Sequence, residues 1–134
     1  MIDLGEWLRS FGSARRQAGV HDCVTFPAAW AIANGWPDPL TEWRGAYDTE
    51  ELALDLIRDA GGLAIICDAG MAQAGIPERI GKPVSGDIGV LILGEHEAGA
   101  IFTGRRWALV AERGLAFASV EPDCVLRKWS VGHG

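Results

Sequence analysis

Hydrophobic spacing changes character once along this chain, near Asp87, and that change limits the possible folds more than any other feature. Before it, apolar residues recur at three- and four-residue intervals: Leu4, Trp7, Leu8 and Phe11; Phe26, Trp30 and Ala33; Leu52, Leu56, Ile57 and Ala60; then the apolar stretch from Leu63 to Ala74. Such spacing lays one stripe of side chains along a helix. Asp3 is placed to cap the first helix and Asn34-Gly35 to stop the second. Asp48 and Glu51 read as a capping box for the third, which Gly61-Gly62 ends, and Gly75 with Pro77 ends the fourth. Beyond Asp87, residues 88–93, 98–103, 107–111, 115–120 and 125–131 are short β-rich runs separated by Gly or charged turns. Helices grouped first and strands grouped later predict an α+β domain, with N-terminal helices packed on a small curved antiparallel sheet, and not a parallel βαβ fold.

The chain has 134 residues, of which 49% are apolar, enough for one domain with a sizeable core. We read 1–134 as a single domain with a helical half at 1–80 and a β half at 84–132. The formal net charge is −6 and the carboxylates are scattered. Nucleic acid is therefore not an expected partner, since phosphate binding needs clustered Lys and Arg. Arg15-Arg16 and Arg105-Arg106 read as solvated surface pairs. No run approaches the roughly 20 apolar residues that span a bilayer. The N-terminus lacks the basic patch and apolar core of a signal peptide, so synthesis in the cytoplasm without general secretion is expected. The six tryptophans are expected to pin helices to the sheet, with one or two left as an exposed binding patch.

Three cysteines, Cys23, Cys67 and Cys124, stand far apart with no CxxC or His-x-Cys cluster. They read as thiols, with no metal and no cofactor expected. Only Cys23 lies in a suggestive setting, Val20-His21-Asp22-Cys23-Val24-Thr25-Phe26-Pro27. A thiol in the first turn of a helix meets unpaired N–H groups and the positive end of the dipole, both of which favour thiolate. Asp22 fits as the capping residue. Pro27, however, cannot donate to the carbonyl of residue 23, so the regular helix is free to begin nearer Phe26 and leave Cys23 just outside it. Two readings of Cys23 follow: a nucleophile, or a small buried apolar residue. A nucleophile needs a base. The candidates are His21, two residues away, and His96, just before a predicted strand. His133, in the tail, reads as unimportant.

Several segments together resemble one family: His21 through Trp30, Asp38-Pro39, Arg44-Gly45-Ala46-Tyr47, Ala60-Gly61-Gly62, Gly86-Asp87, Gly99 to Gly104, Gly114-Leu115 and Trp129-Ser130-Val131. In order and spacing they resemble the DUF6950 family of small phage and prophage proteins, over nearly the whole chain. That family is in turn similar to NlpC/P60 cysteine peptidases, which have a papain-like core and cut peptidoglycan stem peptides. In those enzymes an Asp-Cys pair begins the nucleophile helix, a Gly-Asp pair opens the central sheet and a His-x-Gly strand brings the base. Asp22-Cys23 and Gly86-Asp87 match the first two elements. For the third, the resemblance sets Ala98 where the base is expected, and alanine takes no proton. His96 lies two residues earlier on the same strand face, displaced by roughly 6 to 7 Å. Glu95-His96-Glu97 also reads as a polar hairpin tip.

The resemblance implies an NlpC/P60 architecture and a place in the virion, as a tail-tip or tail-hub structural protein degenerate in catalysis. Its partners would be other tail proteins such as the hub, distal tail or tape-measure neighbours. The alternative it implies is a cysteine peptidase acting on peptidoglycan peptides during genome entry, with Cys23 as nucleophile and His96 or His21 as base, and with Asp22, Gly86 and Asp87 as structural elements.

Overall fold

The computed structural model describes residues 2–131; His133 lies outside them. Four helices precede five strands: α1 (Leu4–Arg9), α2 (Thr25–Ala33), α3 (Glu50–Ala60), α4 (Leu63–Ala74), β1 (Ile88–Leu93), β2 (His96–Phe102), β3 (Trp107–Val110), β4 (Leu115–Ala118) and β5 (Val125–Trp129). The α+β class expected from the spacing is therefore observed. The helix signals also hold, with one shift. Asp3 accepts from the Glu6 amide at 3.1 Å, as expected. The cap of α3 is Thr49, which accepts from Leu52 N at 3.1 Å, and not Asp48. Both residues are good caps, and the one in extended backbone immediately before the first turn takes the role.

The strands form one antiparallel sheet in the order β4-β3-β2-β1-β5. Its edges, β4 and β5, are joined by only six residues, 119–124, which include a short 3-10 turn at Pro122–Cys124. An irregularity between Val90 and Leu91 in the β1–β5 pairing adds local bend.

Alternation along the strands gives the sheet two apolar faces. Ile88, Val90, Ile101, Ala108 and Trp129 face the helices and join Phe26, Ala28, Trp30, Leu63, Ile66 and Met71 in the main core. Leu91, Ala100, Trp107 and Leu109 point the other way, where Ala98, Phe102, Val120 and Val125 cover them. α2 lies on β2, and α4 on β1, β2 and β5. α3 packs mainly on α4 and buries none of its side chains fully.

Six tryptophans are all buried or half-buried, so the expected exposed tryptophan patch is not present. They serve the core instead. Trp7 stacks on Phe26 and tilts onto Trp30, with ring centroids 5.4 and 5.1 Å apart, and the Trp30 indole donates to the Gly86 carbonyl at 2.9 Å. The exposed large apolar side chains are aliphatic or phenyl groups, with Ile80, Val20 and Leu54 the most exposed. None of the described helices is long and apolar enough to cross a membrane.

Candidate functional site

Asp22 organises the turn that carries Cys23. One carboxylate oxygen accepts from Val24 N at 2.9 Å and Thr25 N at 2.8 Å. The other accepts from Gly19 N at 2.8 Å and from the Tyr47 hydroxyl at 2.7 Å. In return Thr25 Oγ1 accepts from the Asp22 amide at 2.9 Å, and the Asp22 carbonyl accepts from Phe26 N at 3.0 Å. This is a capping box built from Asp and Thr, and it places Cys23 in the capping turn just ahead of the regular helix. Burial pushes the Asp22 carboxyl up, but the donors from Thr25, Gly19, Tyr47 and Val24 outweigh it and hold the group below the usual carboxylate range.

Pro27 leaves the Cys23 carbonyl without a helical donor, and that carbonyl is pressed against Gly99 of β2. A Cβ on residue 99 would overlap the Cys23 oxygen and come within 2.9 Å of Pro27 Cγ. Glycine is required there by close approach and not by backbone angle. Cys23 itself is partly exposed, yet it lines an apolar cavity with Val24, Leu40, Cys67, Met71 and Ile88. Burial, reinforced by the Asp22 carboxylate, pushes the thiol up to about 11. The helix-terminal setting that favours thiolate is thus outweighed by desolvation.

Neither candidate base reaches this sulfur. On β2 the register pairs Gly99 with Val90 and Ile101 with Ile88, both residues of the helix-facing core. Ala98 pairs with Leu91 and His96 with Leu93, on the opposite face. His96 is exposed there, across the sheet from Cys23. The position taken for the base, Ala98, also points away; the residues that look toward the helices are Glu97 and Gly99. The hairpin tip is Gly94-Glu95, and Glu97 is not part of it: its carboxylate accepts from Leu63 N and caps α4. Sequence reasoning missed that role because Glu97 and Leu63 are 34 residues apart.

His21 is buried between Phe11, which follows α1, and Phe26 of α2. Its ring stacks on Phe11 with centroids 5.1 Å apart and meets Phe26 edge-on at 5.7 Å. Nε2 is buried without a hydrogen-bond partner. Burial pulls the imidazole below its ordinary value, only partly countered by the neighbouring Asp22.

Gly86 and Asp87 open β1 through structural chemistry. Asp87 is wholly buried and accepts from Arg79 Nε at 2.9 Å, Arg79 NH2 at 3.1 Å and Val84 N at 2.9 Å. Arg79 also reaches Ser130 Oγ at 3.1 Å, tying the segment before β1 to the end of β5. Arg79 carries no motif that would have marked it in the sequence. Among the described residues no three His, Cys, Asp or Glu side chains group as metal ligands.

Over residues 2–131 the chain matches the family described as Domain of unknown function (DUF6950) and belongs to it. No curated protein and no solved structure matches the chain.

Proposed function

We propose that this chain is a structural component of a bacteriophage tail, located in the virion, that keeps an NlpC/P60-like arrangement of helices on a curved sheet without a working nucleophile. The observation that carries the silent-site part is the pairing of Cys23 with Gly99. The strand face opposite the sulfur presents a glycine and, two residues earlier, a carboxylate already committed to capping α4. A thiol held near 11 and facing no imidazole lacks the base that would make it a nucleophile at neutral pH. The structural elements Asp22, Gly86 and Asp87 match the resemblance and are fully engaged in holding the fold. The tail assignment, and with it the hub, distal tail or tape-measure neighbours as partners, rests on the likeness to phage and prophage proteins noted in the sequence.

The alternative is a cysteine peptidase acting on peptidoglycan stem peptides. It is favoured by the position of Cys23 in a capping turn with part of the residue open to solvent. It would need His96 brought across the sheet or His21 released from Phe11.

Two arms of one experiment separate these. Mass spectrometry of purified virions is expected to find the chain among the tail proteins, and the purified chain is expected to release no stem peptide from isolated peptidoglycan. Absence from virions contradicts the tail role. Release that disappears in Cys23→Ser establishes the peptidase instead.

A further inference from the structure

Two cysteines and a methionine, far apart in the sequence, share one cavity. Cys67 and Met71 are one helical turn apart on α4, so their side chains leave the same face. Cys23 approaches from the capping turn of α2, and all three residues line the same space, whose remaining wall is apolar, including Val24, Leu40 and Ile88. The cavity is small, about 10 Å³, close to the least space that holds a single water-sized body. No carboxylate or imidazole lines it.

We propose that Cys23, Cys67 and Met71 form a three-sulfur site for a soft monovalent cation, copper(I). The donor set makes the choice. Thiolate and thioether sulfurs select copper(I), whereas calcium and magnesium require oxygen ligands and keep water. Structural zinc takes four ligands, and among the residues lining the cavity only these three carry a metal-binding side chain. Binding breaks the S–H bonds of Cys23 and Cys67, releases two protons to solvent and forms two copper–thiolate bonds, with a lone pair of the Met71 sulfur as third donor. Copper remains copper(I) and no electron is transferred. The complex carries one negative charge where two bare thiolates would carry two. In the metal-free chain the same groups are neutral fillers of the core, which explains how two ionisable thiols are tolerated there.

The test is an anaerobic titration of the full chain against copper(I) held by a coloured bicinchoninate chelate, with loss of colour reporting transfer. One copper per chain is expected, unchanged in Cys124→Ser and lost in the double variant Cys23→Ser/Cys67→Ser. Met71→Leu keeps size and apolar character, so its fold survives, and its affinity is expected to fall by about tenfold or more, as for other changes around a metal. No transfer to the parent chain, transfer that persists in the double variant, equal loss in Cys124→Ser, or full affinity in Met71→Leu would each overturn the assignment.

Discussion

The Cys23 carbonyl and the Cα of Gly99 are in such close contact that no side chain fits between them. This contact locks the capping turn of α2 onto the middle of β2 and fixes which strand face the sulfur meets.

Replacing Gly99 with alanine should therefore cost stability, although glycine to alanine in a strand ordinarily gains some. Backbone blocks the new methyl on one side and the Pro27 ring on the other, and neither is a flexible side chain. A loss of roughly 3 kcal/mol is expected from urea unfolding. Gly35, whose Cβ would meet nothing, is the contrast: Gly35→Ala suffers only from its φ of +90° and should cost about 1 kcal/mol.

Asp22→Ala removes a carboxylate that satisfies three backbone amides and the Tyr47 hydroxyl. About 2 kcal/mol or more should be lost. Tyr47→Phe removes one donor and leaves the three amides in place, so it should cost about 1 kcal/mol. Because the Asp22 carboxyl is held below its unfolded value, its contribution is present above about pH 4 and is lost as pH falls through the folded value. The acid limb of a stability–pH curve should accordingly flatten in Asp22→Ala.

His21 acts in a separate window. Its folded value is depressed, so between that value and the unfolded value near 6.5 the unfolded chain binds more protons than the folded one. Stability should be flat above about pH 6.5 and should fall as pH drops below it. His21→Leu keeps an apolar group against Phe11 and Phe26 and should remove this slope, as measured by unfolding at a series of pH values. A slope that persists in the variant would assign the proton to another group.

Breaking the Arg79–Asp87 pair should be among the costliest single changes. Asp87→Ala leaves the guanidinium without its bidentate partner and the Val84 amide without its acceptor. A loss of about 2 to 3 kcal/mol is expected, because the guanidinium left behind still reaches solvent. Arg79→Met strands the wholly buried carboxylate and should cost more, about 3 to 5 kcal/mol, whereas the double change should recover part of the loss. A double-mutant cycle on thermal unfolding measures this directly.

How much of this was legible in the sequence follows from which interactions are local. The four helices, their glycine stops and the five strands came from spacing and turn residues, which act over a few positions. So did the capping role of Asp22, since its amide partners lie two and three residues away. The face of β2 was not legible in the same way. Period-two alternation sorts His96 with Ala98 and Glu97 with Gly99, but only the packing of α2 decides which set looks inward. His96, and Ala98 at the position where the resemblance sets the base, belong to the outward set. Arg79 and Glu97, which hold distant segments together, were invisible because a single charged residue carries no periodic signal. The convergence of Cys23, Cys67 and Met71 likewise appears only once α2 and α4 share the same sheet face.

The most direct test of the account is the pH dependence of Cys23 alkylation in the folded, metal-free chain. With the thiol held near 11, modification at pH 7 should be slow and unselective, and its rate should keep rising by about tenfold per pH unit past pH 9. A rate that levels off below pH 8, with Cys23 modified well before Cys67 and Cys124, would mean an activated thiolate and would contradict the silent scaffold.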